Sequence, residues 1–296
     1  MTRAERETRP ESGTPLSLPG DRLTALQRAL RERLAGEEAQ LPRPDGEPTL
    51  FAHSLRVARL AHRLALATPG AAVEEAYLAG LLHDAGKLAR LRDPCSGLAE
   101  EVRSAEVARE LLGAAGLGGE LEDRVADAIH ELYLEEVEPS LTTRLVDDAD
   151  NLDKLGLPGV GVFFVKQGLR GIGLGPRLLA QVGVELTYAR YAARAVWTEA
   201  GRQLAAVRAR ASERFFRAFV RAVRADGLHR VRVRTIPCAG IELTMVVQES
   251  CDCGGRLRCS VETSSGTKCT LLRVRQTCVR CGWELVTEFC RPRLRS

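Results

Sequence analysis

The sequence predicts a mainly α protein with a small β-rich domain at its end, and three observations carry that expectation. Apolar residues recur at helical spacing through most of residues 49–153 and 176–225. At Val231 the pattern changes to strand-like alternation. Eight of the nine cysteines lie after position 237. The charge shifts in the same region. Residues 1–220 hold 29 basic and 32 acidic side chains (net −3), residues 221–296 hold 14 and 7 (net +7), and together they give the formal +4.

A chain of 296 residues, 45% hydrophobic and 28% charged, has ordinary globular composition and room for one large and one small domain. No run of 18 uncharged apolar residues occurs, which excludes a membrane-spanning helix. Met1 to Gly20 is polar and charged, without the apolar core of a secretory signal. The sequence therefore places the chain in a reducing cytoplasm, where clustered cysteines read as metal ligands before disulfides. The expected division is a disordered tail (1–20), a helical domain (21–226) and a cysteine-rich domain (227–296).

In the helical domain Asp21 reads as the cap of a helix with Leu23, Leu26, Leu30 and Leu34 on one face. A Pro-rich connection, Leu41 to Pro48, follows. Further helices are expected at about 49–67, 73–89, 97–114, 119–136 and 140–153. Gly156 to Gly175 reads as a broken, loop-like segment, whose glycines lack the spacing of a dinucleotide loop. One long helical stretch is expected from Pro176 to about Ala225, with Leu204, Val207, Ala211, Phe215 and Phe219 as its packing stripe. Beyond it, Val231 to Arg234 and Leu271 to Val274 read as strands, with a turn at Ser264-Ser265-Gly266 between two further short ones.

The five histidines are few enough for their placement to inform. His53 lies between Leu50 and Val57 and points to the inner face of its helix. Adjacent His83 and Asp84 end the apolar run Ala79-Gly-Leu-Leu, with Gly86 and Lys87 just beyond. Adjacent helical side chains diverge by about 100°, so this pair shares one ion most easily near a helix end. Asp147, Asp148, Asp150 and Asp153 then fall on one helix among apolar residues. Two imidazoles with two carboxylates make a mixed N/O shell suited to Mn, Fe, Co, Ni, Zn or Mg, with positions left for water and a phosphate oxygen.

The order His53, His83-Asp84, Asp150 resembles the HD-domain metal-dependent phosphohydrolases, most closely the small bacterial HD proteins with an Asp-Ala-Asp-x-Leu-Asp segment, here Asp148 to Asp153. Thr198 to Arg208 is similar to the late helix of that subgroup, so the resemblance spans about 45–225. It implies an HD-type helical bundle holding one divalent metal through His53, His83, Asp84 and Asp150. It also implies a metal-activated water that attacks a phosphate ester or anhydride of a nucleotide-like substrate. Lys87 is placed to bind developing phosphate charge, or is a surface lysine. His130 is a further ligand, a general acid or a core residue. Two-metal relatives need two histidines between the His-Asp pair and the last aspartate; this chain has His130 alone, which favours one metal. His62, about 180° round the helix from His53, reads as solvated. Asp147, Asp148 and Asp153 are candidates to orient the ligands.

In the last domain Cys251-x-Cys253-Gly-Gly and Cys278-x-x-Cys281-Gly are two thiolate knuckles separated by a hairpin's length, and they resemble a zinc ribbon. A structural zinc on Cys251, Cys253, Cys278 and Cys281 follows from that resemblance. The first pair is one residue shorter than usual. Cys259 and Cys269 either face each other across the hairpin, serve as ligands, or are buried thiols. Cys95 reads as a core or loop thiol, and Cys238 and Cys290 carry no role. Arginines at 230, 232, 234, 256, 258, 273, 275, 280, 291, 293 and 295 suit a polyanion, or else a solubilising surface.

The expected partners are therefore a small phosphorylated substrate, a nucleic acid through the basic domain, and a second copy of the chain, with no membrane. The alternative to an enzyme is a non-enzymatic HD ligand sensor, or a nucleic-acid-binding protein acting through the ribbon.

Overall fold

The computed structural model describes residues 16–40, 49–88, 99–132, 134, 137–265 and 270–290. The expectations for the tail before residue 16, for 41–48, and for Cys95, Gly266, Cys269, Arg291, Arg293 and Arg295 lie outside the described residues. The described chain runs through α1 (Gly20–Glu38), α2 (Thr49–Leu66), α3 (Val73–Leu82), α4 (Glu100–Ala114), α5 (Glu120–Glu131), α6 (Leu141–Asp153), α7 (Gly156–Leu169), α8 (Pro176–Ala195) and α9 (Glu199–Ala225). Strands β1 (Val231–Cys238), β2 (Ile241–Gln248), β3 (Leu257–Ser265), β4 (Thr270–Cys278) and β5 (Glu284–Cys290) follow. The fold is mainly α with a small antiparallel β region, as the sequence predicts. Among the described residues, no helix is long and apolar enough to cross a membrane.

The chain forms two compact units, Met1–Asp150 and Asn151–Ser296. Secondary structure does change between Ala225 and Val231, but α7 to α9 group with the strands. The boundary between units therefore falls inside α6 and not near residue 227.

In the first unit α3 is buried on all sides from Ala76 to Leu82, so it is the central helix. It lies against Val57, Ala58, Ala61 and Leu64 of α2, all but sealed from solvent. Gly80 allows the close approach: a Cβ there would lie 3.1 Å from the Ala58 Cα and 3.2 Å from the Ala61 Cβ. α1 begins at Gly20 with Pro19 at the cap, so Asp21 sits in the first turn and does not cap. Leu26, Leu30 and Leu34 are its buried face. His62 is not solvated: its ring stands edge-on to Tyr77 at 6.2 Å, because the tyrosine on α3 reaches across to that side of α2.

The second unit departs from expectation in three places. Residues 156–169 form a helix, not a loop, because Val160, Phe163 and Gln167 give a buried face at helical spacing. Pro158 is tolerated in its first turn, and Gly159 leaves room for the Lys154 carbonyl, which a Cβ would overlap. The stretch 176–225 is two helices. Val196 leaves helical geometry, and Thr198 caps α9, its Oγ1 accepting from the Gly201 amide at 2.9 Å. The buried face of α9 is Gly201, Ala205, Ala209, Ser212, Phe216, Val220 and Val223, one residue out of step with the predicted stripe. Small residues win because they let the helix approach closely, and the Ser212 hydroxyl accepts from the Gly156 amide at 2.8 Å. Val207 and Phe215 are left 51% and 37% exposed.

β1 and β2 form one antiparallel pair, and β3–β4–β5 a three-stranded antiparallel sheet. β2 escapes alternation analysis because six of its first seven residues are buried, on both faces. α8 lies directly on it. A Cβ on Gly183 would meet the Val246 amide at 2.8 Å, and Thr187 Oγ1 donates to the Thr244 carbonyl and accepts from its amide.

Gly80→Val is expected to force α2 and α3 apart and to cost about 1–3 kcal/mol. Urea unfolding of the variant checks this, and an unchanged midpoint would show that the contact is not tight.

Candidate metal centres

The end of α3 builds the first site. The helix stops at Leu82, and His83 to Leu88 continue as tight turns, with the Ala85 amide bonded to the Leu82 carbonyl and the Lys87 amide to the Asp84 carbonyl. Leaving the α-helix here turns His83 and Asp84 toward one point. Gly86 is fixed by its neighbour: its amide donates to the buried Ser104 hydroxyl at 3.0 Å, and a Cβ would overlap the Arg103–Ser104 backbone of α4.

His53 comes from α2 and Asp150 from the far part of α6. One donor atom each of His53, His83 and Asp150 lies within 4.8 Å of the others. The two rings are 5.3 Å apart, nearly edge to face. His53 Nε2 is 3.3 Å from Asp150 Oδ1 and 3.5 Å from Asp84 Oδ2, and His83 Nε2 is 3.6 Å from the same Asp84 oxygen. His83 Nδ1 sits 2.9 Å from the Gly80 carbonyl, so it carries the proton there and leaves the Nε2 lone pair facing the cluster. The donors are two imidazole nitrogens with carboxylate oxygens, a set that fits a divalent ion.

Electrostatics supports the same arrangement. Burial raises the Asp84 carboxyl, but His83, Lys87 and His53 outweigh it and hold the group below the ordinary carboxylate range. Lys87 Nζ donates to Asp84 Oδ2 at 2.7 Å and stands 3.6 Å from Glu100 Oε1. Burial lowers this ammonium, while Asp84, Glu100 and Asp150 more than restore it, so it stays charged. Lys87 is thus tied to the site through Asp84, with its side chain 44% exposed.

Among the other predicted residues, Asp148 and Asp153 are buried and Asp147 is half-buried. His130 is a correction: it lies on the exposed side of α5 and outside the His/Asp group, because the core-facing positions of that helix are Val125, Ala126, Ala128 and Ile129. It is neither a core residue nor a ligand of this group. Sequence reasoning missed Glu100 and Ser104, whose approach to Lys87 and Gly86 spans more sequence than any local motif shows.

The second centre is sulfur. Cys251, Cys253, Cys278 and Cys281 converge within 4.8 Å. Cys251 Sγ is 3.6 Å from Cys281 Sγ, and Cys253 Sγ is 3.5 Å from Cys278 Sγ. Tetrahedral ligation with Zn–S bonds of about 2.3 Å separates sulfurs by roughly 3.8 Å, so the group fits a four-thiolate ion. Each knuckle aims amides at its sulfur: Gly255 donates to Cys253 Sγ and Arg280 to Cys278 Sγ, both at 3.4 Å. The Cys281 and Arg280 amides are the main groups pulling the Cys278 thiol down, to about 6. Gly255 is held by space, since a Cβ would lie 2.6 Å from Cys278 Sγ. Cys259 lies exposed on β3 outside the group, and Cys238 is half-buried on β1.

One further group was not foreseen. Burial pushes the Glu185 carboxyl up to about 7, against the pull of Lys154 and Lys166.

Comparison with known proteins follows this geometry. Residues 50–155 match the family model described as HD domain. YpgQ of Bacillus subtilis is similar at 24% identity and a TM-score of 0.48, over 68% of this chain and 97% of that one. A second structure of YpgQ, in complex with ADP, also shows 24% identity and a TM-score of 0.48, over 69% and 94%. A predicted HD superfamily hydrolase from an uncultured Thermotogales bacterium shows 22% identity and a TM-score of 0.44, over 68% and 92%. No curated protein matches the chain. The stretch matched by that model contains His53, His83 and Asp150, whose donor atoms could hold a metal ion.

Two predictions follow from these groups. Cys278→Ser is expected to lower bound divalent metal by one equivalent per chain and to reduce the thermal midpoint, read by metal analysis and calorimetry. Folded Glu185 keeps its proton up to about pH 7, whereas in the unfolded chain it ionises near 4.5. Stability therefore falls as pH rises through that window, by on the order of 3 kcal/mol at most. Glu185→Gln should flatten that part of the profile in urea unfolding.

Proposed function

We propose that the protein is a phosphohydrolase acting on a phosphate ester or anhydride of a nucleotide-like substrate, with His53, His83, Asp84 and Asp150 holding one divalent ion. The observation that carries this reading is the convergence of two imidazoles and a carboxylate within 4.8 Å beside the Asp84–Lys87 pair. When bound, the ion (Mn, Fe, Co, Ni, Zn or Mg) supplies Lewis acidity to a water nucleophile and to a phosphoryl oxygen. His83 is set in the correct tautomer by the Gly80 carbonyl. Asp84 stays ionised and faces both rings. Lys87, charged and partly open to solvent, is placed to receive a phosphate oxygen as negative charge grows. The exposed place of His130 gives no support to a general-acid role, and protonation of the leaving group falls to water or to Lys87.

The four sulfurs would hold a structural zinc, because so small a sheet buries too little apolar surface to hold its turns alone. A nucleic acid as partner of the C-terminal arginines is supported by Arg230, Arg232, Arg234, Arg256 and Arg258. All five are exposed and have no carboxylate partner among the described residues. Arg273 and Arg275, by contrast, pair with Glu288 and Glu284.

Phosphate release from a panel of nucleoside mono-, di- and triphosphates, with Mn, Co, Ni or Mg, tests the enzyme reading. At least one pair should turn over, and His83→Ala should cut the rate by more than about 100-fold. Turnover untouched by that substitution, or absent with every ion, would sink the proposal.

A further inference from the structure

α9 is apolar over a wider arc than the fold buries. Its buried positions, from Gly201 to Val223, span about 100° of the helix. Past Arg208, whose Nη1 donates to the Leu152 carbonyl at 2.8 Å, a further arc of about 80° is apolar at every position from Ala200 to Ala225. Within that second arc Val207 is 51% and Phe215 37% exposed, and Ala218 and Ala222 are exposed too.

α7 continues this surface. Leu157, Gly161, Val165 and Gly168 share an arc of about 80° on its solvent side. Leu157 is 62% and Val165 57% exposed, and a Cβ on either glycine would meet nothing within 4 Å. Lys166, the one charged residue of α7, lies about 100° or more around the helix from all four. The two helices run side by side in the same direction. The Gly156 amide donates to the Ser212 hydroxyl at 2.8 Å, and further along Phe164 stands edge-on to Phe215, with centroids 6.1 Å apart. Phe164 and Phe215 mark the seam at which the two open arcs meet. Leu157, Val165, Val207 and Phe215 are the knobs of this face, and its glycines and alanines are the hollows.

We infer that this face is the seat of a homodimer, in which the α7–α9 pair packs against the same pair of a second copy. A two-fold contact sets one patch against itself, so a single patch must carry both knobs and hollows, as this one does. The patch holds no charge, and only an uncharged partner surface covers it without stripping an ion of water. A nucleic acid, charged at every phosphate, finds no contact on it. Arg210, Arg214, Arg217 and Arg221 lie beyond the patch, on the side of α9 away from α7. A two-fold axis along the seam places α9 of one copy over α7 of the other and the two arginine rows on opposite outer edges. The terminal segments 1–15 and 291–296 offer only Met1, Ala4 and Leu294 as apolar side chains, too few to cover the face. The inference does not depend on the hydrolase reading, since association is read without turnover.

The test is sedimentation velocity of the full-length, metal-loaded protein under reducing conditions, from about 1 to 100 µM. The mass should move from 32.3 kDa toward twice that value as concentration rises. Sodium chloride should not weaken the association, because it screens the like charges of the two copies. Val165→Glu with Val207→Glu should raise the dissociation constant more than about 30-fold, since each carboxylate would be buried unpaired. Gly161→Leu adds apolar bulk and yet should weaken the dimer about 10-fold, because it fills a hollow. Leu66→Glu, on α2 and 42% exposed, should leave association unchanged. Circular dichroism and thermal midpoints check that each variant keeps its helices. The inference is overturned by a monomer across the whole range, by a dimer that the double variant leaves intact, or by tighter association of Gly161→Leu. It also falls if phosphatidylcholine vesicles capture the chain in place of a second copy and the double variant abolishes that capture.

Discussion

A carboxylate withdrawn from water must be matched by positive charge, by hydrogen bonds or by a metal, and Asp84 is 3% exposed. Its matching groups come from separate elements: His53 from α2, His83 and Lys87 from the end of α3, with Glu100 on α4 holding the lysine from the other side. None of these can move alone without leaving a charge uncompensated. The packing of the first unit serves the same requirement. α3 must be apolar on every side to bring its last turn into the interior, and Gly86 must lack a side chain so that the turn can close on α4.

The second unit meets the same problem of buried polar atoms in two other ways. Under α8, the Thr187 hydroxyl both donates to and accepts from the Thr244 backbone, so a hydroxyl is buried without loss. At the edge of the three-stranded sheet four sulfurs converge, beyond the apolar cluster that Leu272 and Val274 form with β2. The amides of the two knuckles point at thiolates, and an ion would satisfy the charge those thiolates carry. One unit is thus specified by side chains that gather around a carboxylate, the other by backbone that turns back on sulfur.

Local order was legible in the sequence wherever period and chemistry agree. The helices of the first unit and the two cysteine pairs can be read from spacing, because each depends on near neighbours; the set His53, His83, Asp84 and Asp150 comes with the resemblance to HD-domain proteins, since no local window joins residues so far apart. The misreadings share a different cause. The glycines of 156–168 suggest a loop when counted, but Gly159 is required by one carbonyl contact and Gly161 faces open space. On α9 two apolar stripes run side by side, and the one that packs carries Gly201, Ala205, Ala209 and Ser212 with Phe216, Val220 and Val223, leaving Val207 and Phe215 exposed. His130 falls at a plausible point in chain order and yet on the outer face. These outcomes are set by what packs opposite, which no local window contains.

Gly80 carries two duties that are not separable. Its missing side chain lets α2 approach, and its carbonyl fixes the tautomer of His83. A lineage drifting to alanine at this position would meet the Ala61 Cβ, which glycine there would remove, and the Ala58 backbone, which no substitution removes. Position 80 is therefore confined to glycine more tightly by the backbone of α2 than by any side chain on it.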